Sequence, residues 1–471
     1  MWIVDSYTGT FCTCFYIPLV YNGKIYYTQV RIYIRICRRY APSLIAGRHP
    51  QIDKSNWTNN SFMSKLNWMY ITNNNYTIQK RAMMNQVIYK ERKNTNSMKW
   101  DNCREKFGNE DLLPLWVADM DFEVPECVKD AIKEYADFGV FGYYDTPRAY
   151  GDAFICWEKQ YHNYQVNREW MRFAPGVVPA VNWLIQILTR EQEGVIIMPP
   201  VYYPFRDAII NNNRQIVESP LVRTEKGYVM DYEDFEQKIT EYSPKVFILC
   251  SPHNPVGRVW TAEEIQKALD ICKKHHVFVI SDEIHQDIIM KGHVHVVAAT
   301  TGDYDDILVT LTAATKTFNL AACQNSILVI PNQDLREMYD RYLNQLRIKG
   351  GNAFGYIAVQ SAYEKGRDWL EEVLGIIESN YSVMKNALQE ALPDVWICAL
   401  EGTYLMWIDL GKYIKPEDMK HVIQDKCGLA VDYGSWFGQG ENAGFIRVNL
   451  ATRQENIELA AQNIIRALKC V

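Results

Sequence analysis

Four short stretches carry residue types that can do chemistry together. Ser281-Asp282-Glu283-Ile284-His285 closes an apolar run with a carboxylate and an imidazole. Thr312-Ala313-Ala314-Thr315-Lys316-Thr317-Phe318-Asn319 sets one lysine among small and hydroxyl-bearing residues. A lysine held partly out of water has a lowered amine pKa and can attack a carbonyl to form a Schiff base. Ser251-Pro252-His253-Asn254-Pro255-Val256-Gly257 is a rigid turn that offers the Asn254 amide as a hydrogen-bond donor. Ala174-Pro175-Gly176-Val177-Val178-Pro179 leads into apolar positions 181, 184, 185 and 188, a spacing that predicts a helix whose N-terminus cradles an anion.

Two other readings of SDEIH fare worse. A helicase DExH box needs a G-x-x-x-x-G-K-[ST] phosphate loop upstream, and the chain has none. Six of the nine histidines (253, 275, 276, 285, 293, 295) crowd one region, but without an H-E-x-x-H pair or a cysteine partner, so no metal is expected. His275 and His276 close a helical pattern, where the dipole favours imidazolium. An anion cradle, an amide donor, a carboxylate and a lysine instead suit pyridoxal phosphate, whose ring nitrogen must stay protonated to draw electrons.

The elements that position these residues are legible as periodic apolar runs. VIIM (195–198), VFILC (246–250), VFVI (277–280) and ILVTL (307–311) are each followed by polar, turn-rich residues, and the last three recur at the interval of a βαβ unit. Thr261-Ala262-Glu263-Glu264 is a capping box that opens a helix through Lys274. Continuous apolar strands alternating with helices predict a parallel sheet covered on both faces, with ligands at the carboxyl ends of its strands.

Composition bounds the rest. The 471 residues have the profile of a globular protein with one large or two ordinary domains. None of the twelve cysteines forms a C-x-x-C pair, so a reducing cytoplasm is the expected setting. No run reaches the roughly 18 apolar residues of a spanning helix, and the start lacks the marks of a signal peptide. Residues 1–83 hold ten Lys or Arg against Asp5 and Asp53, whereas the remainder carries a net charge of −14. That segment also contains a strand-like QVRIYIRI (29–36) after Tyr21-Asn22-Gly23, and asparagine runs at 59–60 and 73–75. Its scattered charges match no nucleic-acid module, and the chain as a whole is acidic, so no nucleic-acid partner is expected. The segment reads as an extension foreign to the catalytic unit, either disordered or an over-long start with Met83 or Met84 as the true beginning.

From about Met84 onward the chain resembles the class I/II aminotransferase superfamily of fold-type-I pyridoxal-phosphate enzymes, and within it the cystathionine β-lyase-like carbon–sulfur lyases of the MalY/PatB type. The motifs that carry this are TNSMKWD (95–101), LPLWVADMDF (113–122), VFGYYD (140–145), PPVYYPF (199–205), SPHNPVGRVW (251–260), SDEIHQD (281–287), TAATKTFNLAACQNS (312–326), EGTYLMWIDL (401–410) and FIRVNLA (445–451). The resemblance implies an α/β fold with a large, mostly parallel seven-stranded sheet and a smaller α+β domain. It divides the chain into the extension 1–83, an N-terminal part of the small domain at 84–140, a large cofactor-binding domain at 141–375 and a C-terminal small domain at 376–471. It implies a homodimer with shared active sites and a place in sulfur amino-acid metabolism.

Residue by residue, the resemblance makes Lys316 the Schiff-base lysine and the mover of the substrate Cα proton, and Asp282 the partner of the ring nitrogen. Asn254 would bond the ring 3-oxygen, Tyr202 would stack on the ring, and Val177 and Val178 would offer backbone N–H groups to the phosphate. Tyr143 of a neighbouring subunit would reach the same group, Arg447 would clamp the substrate carboxylate, and Ala118 and Asp119 would border the substrate. Structural alternatives stand beside these roles: a surface ion pair for Arg447, core packing for the two tyrosines, a strand-end cap for Asp282. Ala313 and Gln324 replace a serine and an arginine that many superfamily members use on the phosphate, which leaves Val177, Val178, Thr315 or the neighbour's tyrosine to anchor it. His285, at the cofactor, stands where aminotransferases commonly have tyrosine, and this favours lyase chemistry on cystathionine or related cysteine S-conjugates. A class I/II aminotransferase is the alternative.

Overall fold

The computed structural model describes residues 87–438 and 440–469, together with strands Ile3–Val4, Thr10–Tyr21 and Lys24–Arg35. The chain divides into two compact units, Met1–Met84 and Asn85–Val471. In the first unit, Thr10–Tyr21 and Lys24–Arg35 pair antiparallel. The second strand covers most of QVRIYIRI, while the Asn22-Gly23 turn, both asparagine runs and Met83-Met84 lie outside the described residues.

The second unit is organised by one sheet. Its strands are β1 (Met171–Ala174), β2 (Gly194–Ile197), β3 (Gln215–Glu218), β4 (Val246–Cys250), β5 (Phe278–Asp282), β6 (Leu308–Thr312) and β7 (Ser326–Val329), in the order β1-β7-β6-β5-β4-β2-β3. The run β6-β5-β4-β2-β3 is parallel, and β7 is antiparallel to both neighbours. Every residue of β2, β4, β6 and β7 is buried, as strands covered on both faces require. The apolar runs thus mark β2, β4 and β6 to within a residue and β5 to within two. The edge strands β1 and β3 mix polar with apolar residues and did not stand out in sequence, whereas the reversed β7 is as long and as apolar as β2 and was passed over.

Helices pack on this sheet: α1 (Arg148–Tyr161), α2 (Val177–Leu188), α3 (Ala262–Lys274) and the single turn α4 (Ala314–Thr317). The capping box forms, since Thr261 and Glu264 each satisfy the other's backbone N–H. Val181, Leu184, Ile185 and Leu188 are all buried, which is why their spacing made α2 visible. The long helix α5 (Arg367–Ala391) runs across the border expected at 375, so a continuous helix joins the two regions.

A second, antiparallel sheet holds β8 (Trp396–Ile397), β9 (Leu405–Asp409), β10 (Asp432–Tyr433) and β11 (Phe445–Asn449) in the order β8-β9-β11-β10. The segment Leu113–Pro114 pairs with Leu429–Ala430, bringing residues near 115 alongside the C-terminal part of the chain. Among the described residues no helix is long and apolar enough to cross a membrane.

Candidate active site

Strands β4, β5 and β6 end in register: Cys250 lies opposite Asp282, and Asp282 opposite Leu311. Their carboxyl ends deliver Asn254, Asp282 and Lys316 to one edge, where parallel sheets bind ligands. The turn after β4 closes through Gly257 N–H to the His253 carbonyl at 2.8 Å. Gly257 has φ +72, and a Cβ there would meet Leu400 Cδ1 at 3.2 Å and the Gly402 carbonyl at 3.3 Å, so only glycine suits it.

Lys316, on α4, donates its Nζ to the Ala118 carbonyl. Burial pushes its amine down to about 8, with the Arg447 charge adding to the effect and Asp119 and Asp282 opposing it. Asp282 is buried at the last position of β5, and its Oδ1 accepts the Ile284 N–H at 3.1 Å. Burial pushes its carboxyl up to about 7, against the pull of that N–H and of Lys316. His285 is also buried, its Nδ1 has no hydrogen-bond partner, and burial holds the imidazole well below its ordinary range. The Tyr404 ring meets it edge-on at 5.7 Å.

Arg447, on β11, is 2% exposed, so it is no surface ion pair. Its Nη1 donates to Asn254 Oδ1 at 2.8 Å, and its Nη2 donates to the Trp116 carbonyl at 3.0 Å and to Asp432. Part of the fork expected to be free for substrate is therefore engaged by protein, while Nε is buried without a partner. Burial pushes the Asp432 carboxyl up to about 6, against the lowering pull of Arg447.

The Ala118–Asp119 segment is clamped over the lysine. Asn449 Nδ2 donates to the Val117 and Asp119 carbonyls, both at 2.6 Å, and Asn319 Oδ1 accepts the Met120 N–H at 3.0 Å. Tyr404 Oη donates to the same Ala118 carbonyl as Lys316, at 2.9 Å. Asp119 pairs with Arg92 at 2.7 Å. Tyr202 is the N-cap of helix Tyr203–Asn211, with Phe205 edge-on at 5.6 Å. Val177 and Val178 open α2, whose first turn has no side-chain cap, so their N–H groups remain for an anion. Thr315 is buried in α4, Gln324 lies in a left-handed turn, and Tyr143 is fully exposed.

The structure thus joins Lys316, Asp282, Asn254, Arg447, His285, Ala118 and Asp119 by direct bonds or mutual electrostatic influence. Sequence reasoning passed over Asp432, Tyr404, Asn319 and Asn449. Three of these stand inside motifs already singled out, and polar residues beside buried strands were the available signal. Among the described residues His275 pairs with Glu236 and His295 with Glu283, and no group of metal-ligating side chains occurs.

These residues fit pyridoxal phosphate. Asp282 is a buried carboxylate to which a protonated ring nitrogen would bring a countercharge, and His285 Nδ1 and Arg447 Nε are buried polar atoms without partners, as at a ligand site. The uncapped N-terminus of α2 suits the phosphate.

A family model, aminotransferase class I and II, matches residues 110–464. The chain is 38% identical to cystathionine beta-lyase PatB of Bacillus subtilis (strain 168), over 79% of this chain and 98% of that protein. Among solved structures it is similar to a pyridoxal-phosphate-bound putative aminotransferase from Clostridium difficile 630, with TM-score 0.79, 39% identity and coverage of 82% and 99%. It is equally similar in fold to cystalysin from Treponema denticola, which contains pyridoxal 5'-phosphate, with TM-score 0.79, 34% identity and coverage of 82% and 99%.

Proposed function

The chain belongs to the aminotransferase class I and II family, and from that premise we infer that it is a pyridoxal-phosphate-dependent carbon–sulfur β-lyase. It cleaves L-cystathionine or related cysteine S-conjugates to pyruvate, ammonia and a thiol, homocysteine in the case of cystathionine. The observation that carries this reading is the juxtaposition of Lys316, Asp282 and His285 at the ends of β5 and β6, in a chain 38% identical to a cystathionine β-lyase.

Pyridoxal phosphate, when bound, supplies a carbonyl carbon for amines and a cationic ring that accepts electrons from the substrate Cα. Lys316 holds the cofactor through its amine and then moves the Cα proton, a task suited to an amine brought down to about 8 by burial. Asp282 holds the proton on the ring nitrogen. Asn254, its Oδ1 turned to Arg447, has Nδ2 left to donate to the ring 3-oxygen. Val177, Val178 and Thr315 hold the phosphate, Tyr202 covers one ring face, and His285 lies against the cofactor. Arg447 receives the substrate carboxylate, and Ala118 and Asp119 line the substrate side. Lys316 takes the Cα proton, the electron pair left behind forms the Cα–Cβ double bond as the Cβ–S bond breaks with its own pair leaving on sulfur, and the released enamine takes up water to give pyruvate and ammonia.

The reading includes a homodimer in which Tyr143 of one copy serves the site of the other. Exposure of Tyr143 together with Phe138, Val140 and Phe141 supports it, because such a patch is expected to be covered. The domain division at 84, 141 and 376 belongs to the same proposal.

Purified holoenzyme given L-cystathionine without a 2-oxo acid should release pyruvate. Turnover that appears only when an oxo acid is added would replace the lyase reading with an aminotransferase.

A further inference from the structure

The loop after β5 has a second set of side chains that the proposed reaction does not use. Glu283 accepts from Ser281 Oγ at 2.7 Å, His295 Nε2 at 2.8 Å and the Ala298 N–H at 3.1 Å. Gln286 Nε2 donates to Glu158 at 2.6 Å. Asp287 collects three donors: Trp157 Nε1 at 2.8 Å and His162 Nε2 at 2.7 Å on Oδ1, and Thr317 Oγ1 at 2.7 Å on Oδ2. Trp157 lies on α1, His162 is its C-cap, and Thr317 follows Lys316. One buried carboxylate therefore ties together helix α1, the loop that follows Asp282 and bears His285, and the turn bearing the lysine.

That turn needs the tie. With four residues and no side-chain cap, α4 is a single helical turn, which is unfavourable by itself. Thr317 is fully buried, so loss of its hydroxyl would strand Asp287 Oδ2 without a donor. The countercharge for Asp287 is in place: burial alone would push the His162 imidazole down, but Asp287, with Glu158 and Glu283, brings it up to about 9. The end of a helix favours the same charge. Burial works against the Asp287 carboxylate, yet the His162, Thr317 and Trp157 donors hold it below the usual range. Behind this network, His162, Gln286, Asp287 and His295 line a cavity of about 480 Å³.

We propose that Asp287 is a positioning residue for Lys316. Through Thr317 it locks the lysine turn to the loop that follows Asp282 and carries His285, with His162 as its charge partner. The proposal rests on the reading of Lys316 as the Schiff-base lysine.

The test compares wild-type, Thr317→Val, Thr317→Ser and Lys316→Ala holoenzymes. Valine keeps the shape of threonine and removes the donor, whereas serine keeps the donor. The visible absorption band of the Schiff base is titrated with pH, and kcat and KM for L-cystathionine are measured. In Thr317→Val the titration midpoint should move by about half a unit or more. Its kcat should fall about tenfold with KM held within about twofold, and Thr317→Ser should restore both. An unmoved midpoint with unchanged kcat in Thr317→Val, whatever its melting temperature, overturns the positioning role. Should Thr317→Val fail to fold, His162→Gln takes its place with the same spectral reading, and an unmoved midpoint there overturns the proposal equally. A band that survives in Lys316→Ala defeats the underlying reading of the lysine instead, so the two failures are distinct.

Discussion

Arg447 Nη1 donates to Asn254 Oδ1 at 2.8 Å across 193 positions of sequence, and this bond sets which way the Asn254 amide points. Its oxygen is used, and its nitrogen remains to donate. Asn254→Asp keeps the acceptor for Arg447 and deletes the donor. Its kcat/KM should fall about 100-fold, the usual cost of one preorganised donor at a developing charge. Steady-state pyruvate release measures this, and full activity in the aspartate variant would remove Asn254 from the cofactor's partners.

Burial of Asp282 costs stability at neutral pH. Its carboxyl is raised from 3.8 to about 7 in the folded protein, so between those values the folded state binds more protons than the unfolded one. Stability contributed at low pH is therefore lost as pH rises through that window. In the cofactor-free protein, Asp282→Asn should be more stable than wild type at pH 7 by roughly 1–3 kcal/mol, with the gain vanishing towards pH 4. Urea unfolding at the two pH values checks the sign. The same variant should lose almost all lyase activity.

The Lys316 amine, brought down to about 8 from the ordinary 10.5, is half neutral two and a half units earlier than a surface lysine. The neutral amine is the nucleophile. Uptake of pyridoxal phosphate by cofactor-free protein should accelerate with pH and level off just above 8. A rate still climbing at pH 10 would contradict the burial argument.

Arg447→Lys keeps the charge but loses the planar fork that reaches Asn254, the Trp116 carbonyl and Asp432 together. KM for the amino-acid substrate should rise about tenfold or more, with a smaller change in kcat. Equal KM values for the two proteins would show that the substrate carboxylate binds elsewhere.

A chain starting at Met84 retains the whole unit Asn85–Val471. It should bind cofactor and release pyruvate within about twofold of the full chain, because termini outside a compact unit tolerate removal. A loss of folding on truncation would return residues 1–83 to the catalytic protein.

What the sequence determined by itself is chemistry of short range. Asp282 stood out because it closes a buried apolar strand, and Lys316 because it sits in the small, hydroxyl-rich turn that follows one. The helix after Gly176 and the capping box at Thr261 were legible because their signals repeat within one or two turns.

Only the tertiary structure decided what those residues touch. The Ala118 carbonyl receives Lys316 across 198 residues, and a backbone oxygen carries no residue identity to read. Arg447 was expected to keep its fork for a ligand, but β10 lies beside β11 and brings Asp432 onto it. The reversal of β7 and the tie from Asp287 to Thr317 have the same origin. Strand pairing and buried hydrogen bonds join positions that the chain separates widely, and their partners are chosen by packing rather than by local pattern.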